Sequence, residues 1–170
     1  MHTAESPTFS GTLTVDDFVD ANAWHFRKQR RRQYITTACI FIAGVAMMFT
    51  SWRPSGEFFV SIGLGGTIAF FSMHTFRLPR AWRKVFAQQK SFHQMFRYTW
   101  TIDGLLVATD LGQATRPWSH FSRVEESDRI LMLYQSDAMF ELIPKRWFAN
   151  NDAMIAFRNE ATRRIGEIRT

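Results

Sequence analysis

The stretch RKQRRRQYITTACIFIAGVAMMFTSW, residues 27–52, decides the fold class. It opens with five cations in six residues and continues with nineteen residues, 34–52, that carry no charge. A second uncharged run of nineteen residues, FFVSIGLGGTIAFFSMHTF, covers residues 58–76. At ~1.5 Å per residue each run would form a helix roughly 28 Å long, close to the ~30 Å of a bilayer core. Buried helices of soluble proteins are usually shorter and have a polar face, so both runs predict transmembrane helices.

The charges around the two runs predict their orientation. Only the short segment 53–57 joins the runs, which favours a helical hairpin, and it holds one cation where each outer flank holds five. Because cytoplasmic flanks carry the excess of Lys and Arg, we expect both ends of the chain in the cytoplasm and the connection between the spans outside. The net charge of +6 lies in these flanks, since residues 1–26 are acidic and residues 92–170 are neutral. We therefore interpret the first basic run as a flank on the lipid bilayer and expect no nucleic-acid partner.

Small residues recur on one face of the second span, at Ser61, Gly65 and Ala69. Small residues four apart let two transmembrane helices approach closely. The favoured interpretation is packing against Ala43 and Gly44 of the first span, and the alternative is a homo-oligomer.

The segments that flank the spans predict further elements. In residues 1–33 the alternation around Phe9 indicates a short strand, and Thr14 with Asp17 indicates the start of a helix. Asp16, Asp17 and Asp20 are read as carboxylates at a helix N-terminus, and a metal site is disfavoured because a calcium loop's glycine and distal Glu are missing. Residues 77–95 predict a juxtamembrane helix, which either lies on lipid or packs on the domain that follows.

The period of the apolar residues changes to two after residue 95. Successive strands are expected up to Pro144, with Asp103-Gly104 predicting a type I′ hairpin. A final helix follows, with one apolar stripe at Met154, Phe157, Ala161, Ile165 and Ile168. Residues 96–170 thus predict a small antiparallel sheet closed by a C-terminal helix, in a membrane protein of α+β class. A unit this small is marginal alone, so we expect the juxtamembrane helix or the N-terminal strand to complete it.

This layout resembles a known family. The residues that carry the resemblance are Tyr98-Thr99-Trp100, Asp103-Gly104, Trp118, Phe121, and Ile143-Pro144-Lys145-Arg146-x-Phe148 before a closing helix. Together with two preceding spans they are similar to the YcxB-like membrane proteins of bacteria. The resemblance implies a cytoplasmic domain like a pleckstrin-homology (PH) fold and implies no catalytic residues.

The sequence shows no motif for catalysis, for a cofactor or for a metal. The five histidines are widely spaced, and the one cysteine, Cys39, lies inside an apolar run. One pair of residues suggests a contact: Lys145 and Arg146, at the exit of an edge strand, would hold a lipid phosphate or an acidic peptide. The favoured interpretation is that they only solvate the strand end and blunt its edge.

Two functions are expected from these features. The first is a non-catalytic inner-membrane protein whose PH-like cytoplasmic domain binds a protein partner. The alternative is an accessory subunit of a channel or transporter, assembled through the second span.

Overall fold

The computed structural model describes residues 7–168, and the chain divides into two compact units. One unit, here called the sheet unit, comprises residues 1–21 and 86–170. The other, the hairpin unit, comprises residues 22–85.

The sheet unit contains all the strands. They are β1 (Thr8–Thr12), β2 (Met95–Trp100), β3 (Gly104–Thr109), β4 (Gly112–Pro117), β5 (Arg123–Glu126), β6 (Ile130–Tyr134) and β7 (Phe140–Pro144). They form two antiparallel sheets, one in the order β1-β2-β3-β4 and one in the order β5-β6-β7. The α+β class with antiparallel pairing is confirmed, whereas the expectation of one sheet is corrected to two.

The N-terminal strand belongs to the first sheet. β1 pairs antiparallel with β2, from Thr8 opposite Thr99 to Thr12 opposite Met95. Its Phe9 is buried, and the ring centroid lies 4.3 Å from that of Phe148 and 5.0 Å from that of Phe157. The strand that precedes the apolar runs therefore supplies a central core residue to the domain that follows them.

The last helix, α5 (Asn151–Ile168), closes the core as the sequence predicts. Asn150 caps it, because its Oδ1 accepts a hydrogen bond of 2.8 Å from the backbone N–H of Ala153. Four residues of the predicted stripe are buried in the core: Met154, Phe157, Ala161 and Ile165. The side chain of the fifth, Ile168, lies outside the described part of the structure.

The β2–β3 connection differs from the predicted type I′ turn. Neither Asp103 nor Gly104 has a positive φ, which both central residues of a type I′ turn require. Instead, the Thr101 hydroxyl donates to Gly104 O at 3.1 Å and accepts from the N–H groups of Asp103 and Gly104. Hydrogen bonds of the Thr101 side chain therefore hold this turn, and the positive φ angles that Asp103-Gly104 predicted are not used. The positive φ lies at Gly112, in the β3–β4 turn, at +144°.

The hairpin unit is built from α2 (Arg27–Met47) and α3 (Arg53–Ser72), which pack antiparallel. The helix α1 (Val15–His25) precedes α2. The connection between α2 and α3 is Met48–Trp52, so the segment 53–57, predicted as the loop, is already helical. Pro54 explains the difference, because proline in the first turn of a helix loses no hydrogen bond and starts the helix rather than breaking it.

A π-helical turn, Met73–Arg77, joins α3 to α4 (Leu78–Gln88) without a break. Within residues 7–168, one helix is long and apolar enough to cross a membrane: the segment Pro54–Gln88, with 11% of its most apolar window buried. α2 does not meet this standard, because cations occupy its first two turns. The helix predicted for residues 77–95 ends at Gln88 and is followed by a 3₁₀ turn, Lys90–His93.

Candidate functional site

Arg146, one of the two predicted contact residues, is paired inside the chain. Its guanidinium binds both carboxylate oxygens of Asp17, with Nη2 2.6 Å from Oδ2, and it also donates to Thr12 O at 3.0 Å. Asp17 is 1% exposed and lies in the first turn of α1. A forked guanidinium on a carboxylate is the strongest common ion-pair geometry. It joins the N-terminal segment to the turn that follows β7.

Asp17 is held as a carboxylate by this pairing. Burial alone would raise the pKa of Asp17, but hydrogen bonds from Arg146 and Thr14 outweigh it and hold the pKa below its ordinary value. Thr14 donates to Asp17 Oδ2 from both its N–H and its hydroxyl, each at 2.7 Å, and its Oγ1 accepts from Asp17 N–H. The predicted helix start at Thr14 is thus confirmed as a reciprocal cap.

Lys145, the second predicted contact residue, has a different partner. Its Nζ lies 2.5 Å from Glu126 Oε1, and the other oxygen of Glu126 accepts a hydrogen bond from Arg158 of α5 at 3.0 Å. The hydrogen bond from Lys145 lowers the pKa of Glu126 most, and Arg158 adds to it. Lys145 and Arg146 follow an edge strand, as predicted, but each neutralises a carboxylate of its own chain. A contact of either with a lipid or a peptide stays a prediction.

A third polar cluster, absent from the sequence predictions, links the two sheets. Glu141 of β7 accepts from the Tyr98 hydroxyl at 3.2 Å and from Gln135 Nε2 at 3.2 Å, and it pairs with Arg116 of β4. Burial raises the pKa of the Tyr98 hydroxyl well above its ordinary value, which keeps it a hydrogen-bond donor. Since these residues lie far apart in the sequence, no local pattern signals the cluster.

In the hairpin unit, the predicted small-residue face is exposed at Ser61, Gly65 and Ala69, and a Cβ on Gly65 would meet no atom within 4 Å. The close approach uses other glycines: a Cβ on Gly44 would lie 2.6 Å from Val60 N, and one on Gly63 would lie 2.7 Å from Phe41 Cβ. Gly65 therefore makes no close contact with the first helix, whereas Gly44 does contact α3, and the packing role of Ser61, Gly65 and Ala69 stays a prediction. Helical phase explains why Gly63 packs closely and Gly65 does not, because Gly63 lies two residues from Gly65 and about 200° around the helix.

Two adjoining crevices lie along the seam between α2 and α3, and both share Gln29, Gln33 and Phe70. The first has a volume of about 420 Å³ and is completed by Phe26, Ala69, Met73, His74, Leu78 and Trp82. The second has a volume of about 510 Å³ and is completed by Arg32, Thr36, Thr37, Ile40, Ile62 and Gly66. These crevices were not predicted from the sequence. A signal was present in Gln29 and Gln33, which lie four apart on one helix face among the cations.

Two polar features mark the shared wall of the crevices. Gln33 Oε1 is buried and accepts no hydrogen bond from the described residues 7–168. His74 lies in the π-helical turn, a type of distortion frequent at functional sites. Its Nδ1 lies 2.9 Å from Phe70 O, and because a carbonyl oxygen only accepts, Nδ1 carries the proton. Across residues 7–168, no group of three or more His, Cys, Asp or Glu is placed to hold a metal ion.

These features define a class of protein: an α+β unit with antiparallel sheets and a closing helix, joined to an apolar helical hairpin. Residues 100–161 match the family model described as YcxB-like protein. The match begins at the last residue of β2 and ends within α5, so the predicted resemblance to the YcxB-like family is confirmed over this segment. No curated protein and no solved structure matches the chain significantly.

Proposed function

We propose that the protein is a non-catalytic integral membrane protein of the bacterial inner membrane, with a PH-like cytoplasmic unit that binds a protein partner. The observation that carries the proposal is the exposure of large apolar side chains along both helices of the hairpin unit. Ile42 of α2 and Ile62, Leu64, Ile68 and Phe71 of α3 are all exposed. In water so large an apolar surface is unfavourable, and in hydrocarbon it is expected.

The exposed apolar side chains also support α2 as a second membrane span, although α2 is not apolar enough over its full length to indicate a span by composition. The cations of α2 fall in its first turns, and the apolar part runs from Tyr34 to its end at Met47. That part is about 21 Å long, and the turn Met48–Trp52 extends it towards the ~30 Å of a bilayer core. Long basic side chains at the start of α2 reach the headgroups, as they do at the ends of transmembrane helices.

The sheet unit supports the binding role through its free edge. β4 ends the four-stranded sheet, and its residues 112–115 are exposed. An exposed edge strand can accept a strand from a partner. The PH-like part of the proposal is supported by the two antiparallel sheets and the closing C-terminal helix.

Membrane insertion is tested by alkaline carbonate extraction of membranes that contain the full-length chain. We expect the protein to stay in the pellet and to be released by detergent. Release by carbonate alone would overturn the membrane part of the proposal.

The partner is tested by cross-linked co-purification of two versions: the full-length chain and one in which residues 34–76 are replaced by an unrelated transmembrane hairpin. We expect a stoichiometric protein partner that both versions retain. This exchange leaves β1 paired with β2 and Asp17 paired with Arg146, which a simple truncation would not do.

One observation favours the second candidate function, an accessory subunit of a channel or transporter. Ser61, Gly65 and Ala69 are exposed while other glycines hold the hairpin together, so this face is available to another helix. A partner that is lost when the hairpin is replaced would favour this function over recruitment by the sheet unit.

A further inference from the structure

We propose that the two adjoining crevices of the hairpin unit bind one anionic phospholipid of the cytoplasmic leaflet. The inference rests on the proposed membrane location and adds a specific ligand to it. It concerns residues of α2, α3, the π-helical turn and α4 within the hairpin unit.

The polarity of the lining changes along the hairpin as it does along a lipid. At one end of the second crevice lie Gln29, Arg32, Gln33 and Thr36, and at the other end lie Ile40 and Ile62. From residue 29 to residue 40 the helix rises about 16 Å, so the crevice runs from the headgroup level of the basic turns to about 9 Å inside the bilayer core, which begins near residue 34. A headgroup at the polar end therefore places an acyl chain along the apolar end within one leaflet.

The charge of the polar end selects an anionic lipid. Arg32 is the cation in the lining, and a lipid of net negative charge offers its guanidinium a phosphate whose charge no headgroup cation offsets, unlike the phosphate of a choline lipid. Gln33 lines both crevices, and its Oε1 accepts no hydrogen bond from the described residues. A rotation of this amide would turn the oxygen into the crevice, where a hydroxyl-bearing headgroup donates to it and a choline headgroup does not. These two requirements together describe a lipid such as phosphatidylglycerol.

A second copy of the chain fits the crevices less well than a lipid. In a two-fold symmetric dimer the same patch occupies both sides of the interface, so the Arg32 side chains of both copies would enter one interface. Such a contact would bring like charges together and leave them without a counter-ion. A single lipid supplies the opposite charge and the apolar chain in one molecule.

The experiment uses full-length protein in detergent and native mass spectrometry with added phosphatidylglycerol or phosphatidylcholine. Two pairs of variants are compared. Arg32→Gln removes the cation that lines the crevice, and Arg31→Gln removes an exposed neighbour that does not line it. Ala69→Trp fills the first crevice, and Ala43→Trp places the same side chain on an exposed site away from both crevices.

We expect one phosphatidylglycerol molecule to be retained in preference to phosphatidylcholine. Arg32→Gln should weaken its retention about five-fold, the usual effect of one cation at an anionic lipid surface, and Arg31→Gln should leave it unchanged. Ala69→Trp should abolish retention and Ala43→Trp should not. If Arg32→Gln fails to elute as a single species, the two Trp variants decide the question.

Three outcomes would overturn the proposal: equal retention of both lipids, equal losses in Arg31→Gln and Arg32→Gln, or equal losses in the two Trp variants. Carbonate extraction of the same membranes separates this failure from that of the proposed function. If the protein stays in the carbonate pellet but retains neither lipid selectively, the proposed lipid site is refuted and the proposed membrane location stands.

Discussion

Arg146 neutralises a carboxylate that water scarcely reaches, so the Arg146→Ala variant should be markedly destabilised. Loss of one partner leaves Asp17 buried and unpaired, which for a fully buried pair costs about 3–5 kcal/mol. Because the Arg146 side chain is 45% exposed, we expect a smaller loss, about 2 kcal/mol, in the free energy of unfolding. Urea titration of the full-length chain in detergent, followed by tryptophan fluorescence, measures it.

Arg129 provides the matched control for this prediction. It pairs with Asp20 of α1 at 2.9 Å, but the two side chains are 62% and 41% exposed. An exposed pair contributes about 0–1 kcal/mol, so Arg129→Ala should change the unfolding free energy little. Equal losses of unfolding free energy in Arg146→Ala and Arg129→Ala would show that burial of the Asp17 carboxylate does not cause the effect of Arg146→Ala.

The Asp17–Arg146 pair also predicts a pH dependence. The folded-state pKa of Asp17 is lowered, so the pair stabilises the fold above the ordinary carboxyl pKa of about 4, and this stabilisation is lost as the pH falls from that value through the lowered folded-state pKa. Without Arg146, two causes that lower the pKa of Asp17 are lost while its burial remains, so this pKa lies above the wild-type one and protonation relieves the penalty at a higher pH. The stability difference between wild type and Arg146→Ala should therefore narrow from about pH 7 to about pH 4.5. A stability difference that does not change with pH would contradict the assignment of this pH dependence to Asp17.

At the scale of the elements, close helix packing depends on Gly44 and not on Gly65. A Cβ on Gly44 would meet backbone atoms of Val60 and Phe59, which cannot move aside, whereas a Cβ on Gly65 meets nothing. We expect Gly44→Ala to destabilise the hairpin by about 1–3 kcal/mol, as overpacking usually does, and Gly65→Ala to leave its stability unchanged or to raise it by up to about 1 kcal/mol, because alanine favours helices. The temperature at which each detergent-solubilised variant loses its single peak in size-exclusion chromatography tests this. A Gly65→Ala variant that loses stability as Gly44→Ala does would contradict it.

The β3–β4 turn gives a second prediction at this scale. Gly112 has a φ of +144°, a conformation that costs other residues about 1–3 kcal/mol. Gly112→Ala should lower the free energy of unfolding by about that amount in the same urea titration. Gly166→Ala is the control, because Gly166 lies in α5 with open space at its Cβ and alanine favours helices by about 1 kcal/mol. A stabilised Gly112→Ala variant would mean that the turn relaxes to another form.

Elements with a regular apolar period were predictable, and their connections were less so. The stripe of α5 and the alternation of β2 follow from local sequence, and both lie in the core. The turn at Asp103-Gly104 was not predictable from its dipeptide, since the preceding Thr101 hydroxyl determines its hydrogen bonds. Pro54 was read as part of a loop because proline marks both loops and helix starts.

At the scale of the whole molecule, the sequence predicted the segments but not which distant residues meet. Asp17 and Arg146 are 129 residues apart, and no periodicity relates them. The Tyr98–Glu141 contact joins strands of different sheets, and no periodicity relates these two residues either. The pairing of β1 with β2 has a physical reason, because a unit as small as residues 86–168 needs more buried apolar surface than it has alone. β1 adds Phe9 to its core.

The proposed topology makes the last prediction. If α2 and α3 both cross the membrane, their connection Met48–Trp52 faces the outside, while residues near α5 face the cytoplasm. We replace Cys39 by Ser and introduce one cysteine at a time, as Ser51→Cys or Ala149→Cys, both at exposed positions. In intact spheroplasts an impermeant maleimide should label Ser51→Cys, and Ala149→Cys should be labelled only after lysis. Labelling of both before lysis would mean an even number of crossings between them, and the reverse pattern would invert the orientation that the flanking cations predict.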